Sequence, residues 1–171
     1  IEITPFRTEG GYTDGRHPDN VSFNATLNDD LSRRDFTINA IAYDPIVNDF
    51  TDPYGGIKDI KDMSLRTVGN SDERFQEDAL RLMRCVRFHV QLGFNVSHET
   101  FEALKRNYAL ISKVSRERIR DEFNKILMSK KPMEGINVLR ETLILQYISP
   151  EIDKSYGIGQ NRSHIYDVYE H

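Results

Sequence analysis

Ala79, Leu82, Met83, Val86 and Val90 recur at steps of three and four residues. At about 100° per residue they share one arc of about 120°, which predicts a helix over Glu77 to Val90 with that arc buried. Asp78, Arg81, Arg84 and Arg87 are spaced three apart on the same helix, each step turning back by about 60°. They fan across the opposite half, one carboxylate followed by three guanidiniums. On a solvated face an Asp–Arg pair at this spacing contributes only about 0.2–0.5 kcal/mol. Three arginines with no interleaved acid repel one another unless they share an anion. A triphosphate is such an anion, and guanidinium binds phosphate in forked geometry.

The rest of the second half also reads as helical, from Asp72 onward. Ser97-His98-Glu99-Thr100 precedes Phe101 and Leu104, the pattern of a capped helix start. Ser115 precedes a helix with Ile119, Phe123, Ile126 and Leu127 on one face. Pro132 suits the first turn of another, carrying Ile136, Leu139 and Leu143, with Lys130-Lys131 at the junction before it. The first half reads as β-containing. Ile1-Glu2-Ile3, Ile38 to Tyr43 and Phe50-Thr51 are strand-like. Thr8 to Asp30, rich in Gly, Asp and Asn, reads as loop with one short helix near its end. Asp52-Pro53-Tyr54-Gly55-Gly56 is the strongest punctuation in the chain and the best domain boundary. The fold class is therefore α+β, with strands first and helices after.

Composition narrows the classes. Of 171 residues, 38% are hydrophobic and 29% charged, as in soluble globular chains. The apolar runs are too short to span a membrane, and no secretory signal opens the chain. The first residue is Ile1, which reads as a processed or trimmed piece. A single cysteine, Cys85, excludes an internal disulfide, fits a reducing cytoplasm, and reads as a packing residue rather than a nucleophile. A net charge of −4 argues against binding nucleic acid by charge alone. Arginines cluster instead at Arg33-Arg34, from Arg81 to Arg87 and from Arg116 to Arg120, which suggests a site.

The Asp78–Arg81 pair has a further chemical sense. A carboxylate accepts from an exocyclic amino group, and a guanidinium donates to a ring acceptor. Cytosine and adenine offer an amino donor beside an unprotonated ring acceptor. Uracil lacks the amino group, and guanine has a protonated nitrogen beside it. One Asp and one Arg can thus accept C and A and reject U and G without a template.

With these residues in place, a family resemblance is evident. Arg33-Arg34-Asp35-Phe36-Thr37-Ile38-Asn39-Ala40 resembles the second motif of class II CCA-adding enzymes and bacterial poly(A) polymerases. Asp52 to Gly56 resembles their hinge motif, and Glu77-Asp78-Ala79-Leu80-Arg81 their nucleobase-reading motif, continued by Arg84 and Arg87. Arg116-Glu117-Arg118-Ile119 resembles the start of their later helical motif. The four matches fall in the family's order between Ile1 and about Ser149.

The resemblance implies a palm-sheet remnant over 1–54, an all-α nucleotide-selecting neck and body over 55–150, and a linker with the start of an HD-type domain over 151–171. It implies that Asp78 and Arg81 read the base of CTP or ATP, and that Arg34, Arg84 and Arg87 contact the nucleotide, chiefly its phosphates. Arg33, Asp35 and Asn39 would orient the sugar or brace the site, with structural ion pairing and capping an equal alternative. Gly55 and Gly56 would form a hinge, and Glu2, opposite Ile1 and Ile3 on its strand, would be a catalytic carboxylate.

The implied reaction is addition of C and A to a tRNA 3′ end with release of pyrophosphate, using Mg²⁺. The family's first motif, which supplies the Asp-x-Asp pair for two ions, is absent. These residues are accordingly expected to be an internal part, inactive alone. His164 and His171, seven apart, are not spaced to chelate a metal. Poly(A) addition, CC- or A-addition, and a non-catalytic RNA-binding helical module remain alternatives.

Overall fold

The computed structural model describes residues 3–10, 19–159 and 168–169. The fold is mixed, with small two-stranded sheets set among helices. Strand β1 (Thr8–Gly10) pairs antiparallel with β2 (Asn20–Ser22), a hairpin inside the stretch expected to be loop. The short helix expected near its end is α1 (Leu27–Ser32). Thr26 caps it reciprocally, its hydroxyl accepting from the Asp29 N–H while Asp29 accepts from the Thr26 N–H.

The apolar run Ile38 to Tyr43 is not one strand. Thr37–Asn39 is a 3₁₀ turn, and only Ala42–Asp44 is extended, as β3, pairing with β4 (Asp49–Thr51). Local side-chain bonds won over strand propensity here. Asp35 Oδ1 accepts from the Phe36 N–H and the Asn39 side-chain amide, both at 2.9 Å, and curls the backbone.

The Asp-Pro-Tyr-Gly-Gly segment starts α2 (Gly56–Lys61). Asp52 accepts from the Gly56 and Ile57 N–H groups at 2.7 and 2.9 Å, and Gly55 takes φ of 75°. A Cβ on Gly56 would lie 2.1 Å from the Thr37 carbonyl oxygen. The segment is thus packed tightly on the 3₁₀ turn. Buried Asp59 accepts from the Thr37 hydroxyl and pairs with Arg66 at 2.9 Å.

Strand β5 (Ser64–Leu65) pairs in parallel with β6 (Asn95–Val96) across the helices α3 (Ser71–Glu77) and α4 (Leu80–Leu92). The later helices are α5 (His98–Asn107), α6 (Arg116–Leu127), α7 (Pro132–Glu141), α8 (Leu145–Ile148) and α9 (Pro150–Ser155). Ser97 caps α5, Ser115 precedes α6 and Pro132 opens α7, each where the sequence placed a start.

The main core gathers around α4. Ala79, Leu82, Met83, Val86 and Val90 are all at most 2% exposed, as the apolar arc requires. Phe36 belongs to the same core, so packing runs without a break across the Tyr54–Gly55 boundary. The helix itself differs from expectation: Glu77 to Val90 is not continuous. Asp78 is extended, with φ −142° and ψ 105°, and separates α3 from α4. Its carboxylate accepts from the Leu80 N–H at 3.0 Å, which satisfies a free amide at the new helix start.

Candidate nucleotide-binding site

A cleft of about 880 Å³ lies where the α1–3₁₀ segment, the α3–α4 junction, the β1–β2 hairpin and α6 meet. Six guanidiniums line it, from Arg7, Arg33, Arg34, Arg81, Arg84 and Arg118, against three carboxylates, from Glu9, Asp35 and Asp78. Asp30 and Glu77, just behind the lining, offset part of this charge and leave the cleft a modest positive excess in a chain of net −4.

Helix α1 sets the first wall. Buried Asp30 draws in both neighbouring arginines. Arg34 Nη2 donates to its Oδ2 at 2.8 Å, and Arg33 Nε to its Oδ1 at 3.1 Å. Arg33 also reaches Glu9 at 3.0 Å and the Arg7 carbonyl at 3.2 Å, so it ties β1 to α1. Arg34 leaves most of its donors toward the cleft, its side chain 43% exposed.

The second wall is α4. Arg81 Nη1 donates to Glu77 at 2.5 Å and to the Arg74 carbonyl at 3.0 Å, and its Nη2 to the Arg33 carbonyl at 3.1 Å. Two of the five guanidinium N–H groups stay uncommitted. Arg84 donates to Asp35 Oδ2 from Nε at 2.7 Å. Burial pushes the Asp35 carboxyl up, but the charge of Arg84 and the hydrogen bonds from Asn39, Arg84 and the Phe36 N–H outweigh it, holding it below the usual carboxylate range. Asp78, released from the helix, meets Arg118 of α6 at 2.9 Å.

The expected arginine fan is therefore not unopposed. Each member has an acid from outside the spacing pattern: Glu77 for Arg81, Asp35 for Arg84 and Glu122 for Arg87. Arg87 is not among the residues lining the cleft. It turns inward, 9% exposed, to meet Glu122 Oε2 at 3.1 Å, with its ring neighbour Phe88 centred 4.2 Å from its guanidinium carbon. The structure thus brings together Arg33, Arg34, Asp35, Asn39, Asp78, Arg81 and Arg84, and leaves Arg87 behind them. Gly55 and Gly56 lie apart, at the start of α2. Glu2, His164 and His171 lie outside the described residues.

Sequence reasoning overlooked Asp30, Glu9, Glu122 and Phe88. Only Asp30 left a local trace, an acid three and four residues before two adjacent arginines. Among the described residues, no three His, Cys, Asp or Glu side chains converge to hold a metal, so the implied ion has no fitting ligand set there.

Known proteins resemble this chain over most of its length. Residues 1–66 match the family model for the poly A polymerase head domain. Residues 93–156 match one described as the probable RNA and SrmB-binding site of polymerase A. A CCA-adding enzyme of Ligilactobacillus salivarius is 47% identical over 153 residues, covering 90% of this chain and 38% of that protein. One from Lactiplantibacillus plantarum is 45% identical over 159 residues, covering 93% and 39%. The crystal structure of the Bacillus stearothermophilus CCA-adding enzyme in complex with CTP superposes with a TM-score of 0.78 at 38% identity, over 89% of this chain and 36% of that one. The Thermotoga maritima CCA-adding enzyme complexed with tRNA gives 0.69 at 28% identity, over 77% and 34%.

The chain belongs to the family of class II tRNA nucleotidyltransferases and bacterial poly(A) polymerases. It spans about two fifths of the length of the curated relatives it matches.

Proposed function

We propose that this chain selects and holds the incoming nucleotide in a template-independent nucleotidyltransferase that adds C and A from CTP and ATP to a tRNA 3′ end, releasing pyrophosphate. The observation that carries the reading is the cleft with Asp78 and Arg81 at one junction and Arg34 and Arg84 along its wall. The relatives compared above are CCA-adding enzymes, one with CTP and another with tRNA, which favours tRNA over poly(A) addition. Work on tRNA fits a cytoplasmic protein.

Asp78 keeps acceptor capacity after its bonds to Leu80 and Arg118, enough for an exocyclic amino group. Arg81 supplies the adjacent donor. Arg34 and Arg84 neutralise the polyphosphate, while Arg33, Asp35 and Asn39 brace them. Arg87 acts behind the cleft as a tie between helices. Gly55 and Gly56 serve as the joint between palm and neck. The divisions at 54 and 150 are units of role rather than separate cores.

The test is equilibrium binding of CTP, ATP, UTP and GTP by calorimetry. Asp78→Ala is expected to shrink the CTP-over-UTP preference by about tenfold, the scale of one lost base-reading pair. Arg84→Ala is expected to weaken all four alike. Unchanged selectivity in the Asp78 variant would remove it from base reading.

A further inference from the structure

Helix α6 reaches the nucleotide cleft through Arg118. The Arg118 guanidinium forks onto Asp78. Its Nη2 donates to Oδ2 at 2.9 Å, and its Nη1 lies 3.5 Å from Oδ1. Arg118 makes no other hydrogen bond or ion pair with a described residue. Arg81, by contrast, divides its donors among Glu77 and the carbonyls of Arg74 and Arg33. Arg81 braces a wall; Arg118 serves one carboxylate.

The platform under Arg118 is fixed. Glu122 lies one turn further along the same face of α6, and its sealed pair with Arg87 anchors that face on α4. Ile126, another turn on, is fully buried in the main core. Packing therefore sets the register from which Arg118 approaches. Asp78 has no such support of its own. Its backbone is extended between two helices. Besides Arg118, its carboxylate bonds among the described residues only to the Leu80 N–H, at 3.0 Å on Oδ1. A single hydrogen bond leaves a carboxylate free to turn about it.

Each carboxylate oxygen offers about two acceptor sites. The Leu80 N–H and Arg118 Nη1 occupy those of Oδ1, and Nη2 takes one on Oδ2. One site remains, on Oδ2. The Asp78 and Arg118 side chains are 20% and 26% exposed, at the cleft and not in the core. An ion pair in such a place adds little to stability, so its geometry matters more than its strength.

We propose that Arg118 is a positioning residue for base selection. It fixes the plane of the Asp78 carboxylate and leaves a single acceptor site, on Oδ2, for the exocyclic amino group of cytosine or adenine. The inference rests on the base-reading role of Asp78 proposed above, and adds the residue that aims it.

The test is calorimetric binding of CTP, ATP, UTP and GTP to the 171-residue chain and its variants, with melting temperatures in parallel. Arg118→Gln is expected to shrink the CTP-over-UTP preference by at least about threefold, part of the roughly tenfold discrimination of a whole base-reading pair. Its melting temperature should stay within about 2 °C of the parent's. Arg118→Lys keeps the charge but not the planar fork. It is expected to bind all four triphosphates more tightly than Arg118→Gln, yet to lose the preference to the same extent. In an Asp78→Ala background, Arg118→Gln should remove no further preference, since no carboxylate is left to aim. Should Arg118→Gln melt well below the parent, Arg118→Lys decides alone. An intact preference in either Arg118 variant, or a further loss in the Asp78→Ala background, overturns the positioning role. Loss of preference in Asp78→Ala would still leave base reading by Asp78 standing. An intact preference in Asp78→Ala overturns both readings, as does a chain that binds no triphosphate.

Discussion

Asp78 is the residue whose position the structure most changed. As a helical residue it would point where the 100° register sends it. As an extended residue between two helices, it aims independently of Arg81 and is held by Arg118 from a third. In the proposed base-reading role, the aim of Asp78 would therefore depend on a contact 40 residues away. Cys85, one turn beyond Arg81 on α4, is fully buried. Burial raises its thiol far above the usual range, and the charge of Asp35 adds to that. The native chain is expected to be inert to a thiol reagent such as Ellman's at pH 8, and to react with one equivalent in denaturant. Rapid reaction without unfolding would show that α4 opens locally.

Between elements, the decisive contact is α4 against α6. Arg87–Glu122 fastens α4 to α6 and Asp78–Arg118 fastens the α3–α4 junction to α6 with opposite polarity, the first pair sealed and the second exposed to the cleft. A sealed pair is costly to break from one side, because the remaining charge loses its partner. Glu122→Ala is expected to destabilise the fold by about 3–5 kcal/mol in urea unfolding. Arg87→Met combined with Glu122→Leu should recover most of that loss, since neither charge is then stranded. A double variant no better than the single one would mean that packing, not charge, sets the loss. The α4–α6 tie had no sequence signal: Glu122 is 35 residues from Arg87, and no helical period connects them.

For the whole molecule, several carboxylates are held below their usual range by cations or hydrogen bonds. Burial raises Asp30 and Asp35, but their arginine partners outweigh it. Arg106 holds Asp72 down, chiefly by its hydrogen bond. A depressed carboxylate contributes stability that is complete above the unfolded pKa and is lost as pH falls through the folded one. The melting temperature is expected to be flat from pH 7 to about 5 and to fall below about 4. Removing the partner, as in Arg84→Met, leaves Asp35 with burial pushing its carboxyl upward. The acid limb of the melting curve should then move to higher pH. A curve that does not move would assign the acid sensitivity to Asp30 or Asp72.

What was legible in the sequence was local. The apolar arc of α4, the starts of α5, α6 and α7 and the short helix before Arg33 depend on period and capping within a turn or two. The arginines at 33–34 and 81–84 were legible as clusters, and the fold lines one cleft with them. Tertiary structure decided the rest. It broke the helix at Asp78, since a carboxylate capping its own backbone and meeting Arg118 outweighed continuity. It turned Arg87 inward, since only the fold brings Glu122 beside it. It curled Thr37 to Asn39, since Asp35 and Asp59 bind that turn from both sides. Sequence determines which groups exist and how they repeat along an element. Where each charge finds its counter-charge is settled only when distant segments pack, because burying a charge demands a partner and periodicity does not name one.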